Sequence, residues 1–125
     1  LLYAIPDTLY ASRVALARKY RLPKKDIHRV LNQAKTVRNS FFFIKFLKNE
    51  TDHLRMAVVV SGKAVKKATE RNYIKRIFTE TIRSGQFLKK TFDVIITATA
   101  SIVEKRPKEI KRELEQTLNK IFGQL

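Results

Sequence analysis

The chain has 125 residues, 44% of them hydrophobic, with a formal charge of +16 and no cysteine. That length supports one domain with a single modest core, and the lack of cysteine excludes disulfides, thiolate catalysis and cysteine-based zinc sites. A positive field of this size selects anionic partners. No run approaches the ~20 apolar residues of a membrane-spanning helix, and the basic residues are spread through a folded pattern, so nucleic acid is expected, in a reducing cytoplasm and with no membrane partner.

Residues 1–20 form an N-terminal extension. They lack the basic start of a signal peptide, and Pro6 with Asp7 interrupts their apolar stretch. A helix beginning at Asp7 or Thr8 is expected, with Leu9, Leu16 and Tyr20 sharing a side. The domain itself is placed at residues 21–125. Pro23 introduces a helix over Lys24 to Ala34, with Ile27, Val30, Leu31 and Ala34 on one stripe and Lys24, Lys25, Arg29 and Lys35 on the other side.

Phe41 to Leu47 is short and rich in aromatic and branched residues, which predicts a strand. Asn49 to Asp52 reads as a turn, and Leu54 to Val60 as a returning strand, so an antiparallel hairpin of these two is expected. Lys45 faces opposite to Ile44 and Phe46, on an open sheet face or against a ligand. His28 and His53 have no second histidine or carboxylate at ligand spacing and are expected to be ordinary surface residues.

A concentrated charge follows. Between Lys63 and Lys90 there are nine Lys or Arg against Glu70 and Glu80, a local charge of 9 − 2 = +7. Ile74, Ile77, Phe78, Thr81 and Ile82 follow helical spacing. Stepping about 100° per residue puts Asn72, Arg76, Thr79 and Arg83 on the opposite stripe, with Lys75 and Arg71 at its edge. A solubilising helix usually mixes signs in i, i+4 pairs, whereas like charges here sit together at Lys66–Lys67 and Lys75–Arg76. Repulsion of that kind is relieved by an anion, and a polyphosphate backbone is the natural one.

Ser84 and Gly85 stop this helix, and Phe92 to Thr99 has the β-branched content of a covered strand. The strand, helix and strand from Leu54 to Thr99 form a βαβ crossover with parallel pairing. Pro107 opens a last helix with Ile110, Leu114, Leu118, Ile121 and Phe122 buried. An α+β fold is expected, a single-layer mixed sheet of three to four strands packed by helices.

The segment Val60, Ser61, Gly62, Lys63, Ala64, Val65, then Ala68, Arg71, Asn72, Ile74, Lys75 and Arg76, resembles the signature of the protein subunit of bacterial ribonuclease P, V-S-x-K-x-x-x-x-A-x-x-R-N-R-x-K-R. Arg21, Leu22, Lys24, Lys25 and Asp26 resemble the family's opening, and Thr36, Val37 and Arg38 before the Phe41–Phe46 run resemble its first strands. Phe92 to Ile96 and the closing helix with Leu114 and Leu118 fit its end. General statistics favour a right-handed crossover; the resemblance implies a left-handed one, as in a ribosomal-protein domain.

The chain departs from the pattern in three places. Tyr73 stands at the third position of the Arg-Asn-Arg triplet in place of an arginine, Lys66 and Lys67 replace a Gly-Asn pair, and the family's cleft aromatics fall on Ile27, Leu31 and Lys45.

The resemblance implies binding to the catalytic RNA subunit and to precursor tRNA, whose 5′ leader is hydrolysed by magnesium ions held by the RNA, with none bound by the protein and no DNA partner. Lys63, Lys66, Lys67, Arg71, Asn72, Lys75, Arg76 and Arg83 are the expected RNA-subunit contacts. The leader cleft falls on Ile27, Leu31, Arg38 and Lys45, with Lys75 and Arg76 flanking its floor, and charge rather than stacking is expected to hold the leader. The alternative is a structural RNA-binder, a ribosomal protein or RNA chaperone of similar βαβ architecture. A protein-only nuclease would need acids that Glu50, Asp52, Asp93 and Glu104 do not assemble, and no catalytic residue is assigned.

Overall fold

The computed structural model describes residues 16–123. Its order is α1 (Lys24–Gln33), β1 (Lys35–Arg38), β2 (Phe42–Lys48), β3 (Arg55–Val59), α2 (Ala68–Ser84), β4 (Phe92–Ala98) and α3 (Pro107–Phe122). Arg18–Tyr20, Phe87–Lys89 and Ala100–Glu104 are short 3-10 turns. The four strands make one mixed sheet in the order β1-β2-β4-β3, with β3 and β4 parallel and the other pairs antiparallel. This is the expected α+β class.

The expected hairpin between β2 and β3 does not form. Both strands pair with β4, which lies between them, and the hairpin partner of β2 is β1. The reason is burial on two faces: Val94, Ile95 and Ile96 of β4 are all buried, so this strand takes an interior position, while β3, with Val59 42% exposed, takes an edge. Residues 49–54 are a turn, as expected, but one that steps across the end of β4. Asn49 builds it, its Oδ1 accepting from the Thr51 amide at 3.0 Å and its Nδ2 donating to the His53 carbonyl at 3.1 Å.

Alternation along the strands separates two faces. Phe42 and Ile44 of β2, Met56 of β3, and Val94, Ile96 and Ala98 of β4 join Ile74, Ile77, Phe78 and Ile82 of α2 and Ile110, Leu114, Leu118, Ile121 and Phe122 of α3 in the main core. Both helices therefore cover one face. The other face carries α1 over Ile95, where Val30 and Leu22 are buried and Ile27, Ala34, Leu47 and Ala57 pack around them. Each fully buried aliphatic side chain contributes about 1.5–3 kcal/mol, so the two-helix face dominates stability and α1 is the lighter layer.

Helix α2 starts at Ala68, six residues before the first residue of the periodic stripe, Ile74, and ends at Ser84 as expected. Gly85 ends it in extended backbone, φ −88° and ψ −174°, not in a left-handed turn, and a side chain there would crowd Phe87, since a Cβ would lie 2.6 Å from its ring. The expected helix over residues 7–20 lies outside the described residues except at Leu16–Tyr20, where Arg18–Tyr20 is a 3-10 turn.

Candidate RNA interface

The loop before α2 is built to turn its lysines outward. Val60 and Val65 are buried at its two ends, Ser61 accepts the Ala64 amide on its hydroxyl at 3.1 Å, and the Val65 amide returns to the Ser61 carbonyl at 3.0 Å. With both valines anchored, Lys63, Lys66 and Lys67 are exposed. No side chain caps the helix at Lys67. The unsatisfied amides of its first turn thus face the same solvent as three ammonium groups, a combination that favours anions.

On α2 the exposed stripe carries Asn72, Lys75 and Arg83, with Arg76 half-buried. Arg71 has a second task. Its Nη1 donates to the carbonyls of Val65 at 2.9 Å and Lys66 at 2.8 Å, fixing the lysine loop against the helix. Arg83 pairs with Glu80 at 3.2 Å, so part of its charge is neutralised within the protein. Tyr73, read from the sequence as a lost cation, lies 2% exposed in the core, where burial pushes its phenol up from the usual value. The stripe loses one charge there and the core gains a ring.

The face under α1 is ordered in three rows by strand register. Leu47, Asp93 and Arg55 form the first; Thr36, Lys45, Ile95 and Ala57 the second; Arg38, Phe43, Thr97 and Val59 the third. Helix α1 covers Leu47 in the first row and Ile95 and Ala57 in the second. Phe43 and Thr97 of the third row are half-buried, and Arg38 and Val59 are exposed. Lys45 stands at the border, its Nζ 3.3 Å from Thr36 Oγ1. Leu31, 43% exposed on α1, is the helix's uncovered apolar residue, and Ile27 is half-buried behind it.

Two features of this face were not read from the sequence. Phe43 shares it with Lys45, two residues away on the same strand side, and the Arg38 guanidinium lies 5.1 Å from its ring centroid. An aromatic surface is therefore present beside Lys45, the position where the family pattern has an aromatic. Conversely, Lys75 and Arg76 belong to a helix packed on the opposite face through Ile74 and Phe78. They do not form the floor's wall, because the sheet stands between.

Helix α1 is held by charge as much as by packing. Asp93 is fully buried and accepts from Arg55 Nε at 2.8 Å and Nη2 at 2.7 Å, from Arg29 Nη2 at 2.6 Å and from Asn49 Nδ2 at 2.9 Å. Arg55 also reaches Asp26 of α1 at 3.2 Å. Burial alone would raise the Asp93 carboxyl; the hydrogen bonds from Arg55, Asn49 and Arg29 overcome it and hold the group below its usual range. Arg29, assigned by periodicity to the solvent side, thus turns inward to bind the sheet.

His53 also departs from its reading. The bend at residues 51–53 brings its Nδ1 to 2.7 Å from Asp52 Oδ1, while Nε2 lies 2.7 Å from the Lys19 carbonyl and Tyr20 meets the ring edge-on. With both nitrogens committed, His53 fastens residues 16–21 to the body. The Asp52 carboxyl is correspondingly held below its usual value by the His53 hydrogen bond. Among the described residues no group of three or more His, Asp or Glu could hold a metal ion, and no helix is long and apolar enough to cross a membrane.

Residues 16–122 match the sequence model of the family described as ribonuclease P. The chain belongs to the ribonuclease P protein family. The ribonuclease P protein component of Coxiella burnetii (strain Dugway 5J108-111) is 32% identical over 100 residues, spanning 80% of this chain and 79% of that one. That of Thermotoga maritima is 28% identical over 105 residues, spanning 80% and 89%. Among solved structures, the ribonuclease P protein of Staphylococcus aureus matches with a TM-score of 0.76 at 28% identity, covering 82% of this chain and 95% of that one. The Thermotoga maritima protein matches at 0.73 and 27% identity, covering 80% and 96%. The chain is thus a protein component of the ribonuclease P ribonucleoprotein, an RNA-based endoribonuclease of tRNA processing whose RNA subunit is its partner, and the reading as an unrelated structural RNA-binder is not favoured.

Proposed function

We propose that this ribonuclease P protein holds two RNAs on two separate surfaces. The lysine loop and the α2 stripe, with Lys63, Lys66, Lys67, Arg71, Asn72, Lys75, Arg76 and Arg83, bind phosphates of the RNA subunit. The open sheet face, with Arg38, Phe43, Lys45, Leu31 and Ile27, receives the single-stranded 5′ leader of precursor tRNA. One observation carries this reading: the half-covered sheet face holds a strand-wide row of cation, ring and apolar residue, on the opposite side of the sheet from the basic helix. A single RNA site would not need both.

Hydrolysis belongs, in this reading, to magnesium ions held by the RNA subunit, in the cytoplasm, with no magnesium site and no DNA contact assigned to the protein. What supports it is the state of the carboxylates. Asp93 is saturated by Arg55, Arg29 and Asn49 and is not available to a two-metal centre, and Asp52 on the surface turns one oxygen to His53. The protein neutralises repulsion between two polyanions and fixes the leader's path.

Reconstitution tests this. Precursor tRNA should be cleaved at its 5′ end by the RNA subunit, at lower magnesium when the protein is added, and left intact by rigorously RNA-free protein. Site-specific cleavage by the protein alone, abolished by Asp52→Ala or Asp93→Asn, contradicts the assignment.

A further inference from the structure

Beyond α2 lies a second set of cations that no part of the signature describes. Helix α3 carries Lys108, Lys111 and Arg112 at i, i+3 and i+4, one face of the helix, and all three are exposed. The N-terminal end of this face meets the C-terminal half of α2. A groove of about 320 Å3 runs between them, with Glu80 and Ser84 on one wall and Pro107, Lys108 and Lys111 on the other. A shallower concavity continues along α3 past Arg112, Gln116 and Asn119.

The acids nearby are arranged so that they do not oppose an anion. Glu80 is paired with Arg83 at 3.2 Å, Glu109 turns back to Lys105 at 4.0 Å, and Glu113 accepts from Asn39 Nδ2 at 3.0 Å. Among the described residues Lys108, Lys111 and Arg112 make no ion pair of their own. Glu115 alone shares their face, half-buried in the concavity. Glu80, Glu109 and Glu113 are thus engaged away from the face, and with Glu115 at i+4 from Lys111 the face keeps three cations against one acid, a net 3 − 1 = +2.

We propose that the RNA-binding surface continues from α2 across this groove onto α3, where Lys108, Lys111 and Arg112 take a second stretch of RNA-subunit backbone. The inference rests on the reading of α2 as the RNA-subunit contact and enlarges it. Continuity across the groove and the sign of the charge favour RNA over other partners. The large hydrophobics exposed among the described residues are Leu31 and Val59, both on the opposite face of the sheet; apart from Pro107 in the groove wall, the cation face of α3 offers nothing apolar to a bilayer or a protein partner. Gln116 and Asn119 add amide donors suited to phosphate or ribose oxygens.

The test compares salt dependence of RNA-subunit binding for three proteins: wild type, Lys108→Ala/Lys111→Ala/Arg112→Ala, and Arg71→Ala/Lys75→Ala/Arg76→Ala. Each lost phosphate contact lowers the log-log slope by roughly 0.7 to 0.9, so the α3 variant should lose about two units with an unchanged far-ultraviolet circular dichroism spectrum. A wild-type slope for the α3 variant beside a flattened one for the α2 variant overturns the extension and leaves the α2 reading intact. Wild-type slopes for both overturn the α2 reading itself. A second measurement avoids dependence on the folding of the triple variant. Because the chain has no cysteine, Gln116→Cys provides a unique attachment point for iron-EDTA beside Arg112. Localised strand scission of the RNA subunit from this probe is expected, and its absence, with scission still seen from a probe at Asn72→Cys, overturns the proposal.

Discussion

Arg55 and Asp93 face each other in one register row of β3 and β4 and close a two-point hydrogen bond, Nε to Oδ1 at 2.8 Å and Nη2 to Oδ2 at 2.7 Å. The same carboxylate receives Arg29 from α1, so the helix that half-covers this sheet face is tied to the sheet by a buried ion. A planar guanidinium fork with both of its donors engaged fixes direction as well as distance. The position of α1, and with it the width of the open row beside it, depends on this pair.

Replacing Asp93 by Asn leaves Arg55 and Arg29 with Asp26 as their one shared counter-charge and should cost about 3 kcal/mol, the lower end of the loss seen when one partner of a buried pair is removed. Urea unfolding at neutral pH measures it. The acid dependence has a definite sign. The Asp93 carboxyl is lowered in the folded state, so its contribution is complete above the unfolded value of about 3.9 and is lost as pH falls through the folded value. Stability of the wild type should therefore drop below roughly pH 4 more steeply than that of Asp93→Asn. A loss under ~1 kcal/mol, or parallel acid profiles, contradicts this.

Phe43 supplies the face with its stacking surface. A base on an aromatic ring contributes ~1 to 3 kcal/mol, so Phe43→Leu, which keeps apolar bulk but not the ring, should weaken leader binding roughly 10-fold. Every base has a π-face, so the loss should be similar for leaders of different sequence. Competition binding of precursor tRNAs to the reconstituted complex reads this directly; an unchanged affinity removes Phe43 from the leader path.

Lys45 borders the same row. Its ammonium suits phosphate, so Lys45→Ala should weaken binding of leader-bearing precursor tRNA, most at low salt, and leave mature tRNA binding unchanged. An equal effect on both RNAs, or none on either, argues against its place there.

The elements most legible in the sequence were those with a local period. The buried stripe of α2 and that of α3 could be read because i, i+3, i+4 spacing is a property of neighbouring residues. Strand pairing was harder: β2 and β3 look like a hairpin because a turn joins them, and nothing within residues 41–60 signals that β4, more than thirty residues on, separates them. The Arg29–Asp93 contact spans 64 positions and could not be read from either neighbourhood. Asp93 in particular resembles a stray acid in an apolar run until three donors are seen to converge on it. Phe43 is legible by the same alternation as Lys45, since period 2 puts both on one side of the strand.

The basic face of α2 and its loop is the proposed contact with the RNA subunit. The most direct test is the salt dependence of RNA-subunit affinity for the wild type against Arg71→Ala/Lys75→Ala/Arg76→Ala, with circular dichroism to show that the loop fastened by Arg71 has not cost the fold. The variant should show a slope flattened by about two units and weaker binding at low salt, with the difference closing as salt rises. Wild-type affinity with a wild-type slope would contradict it.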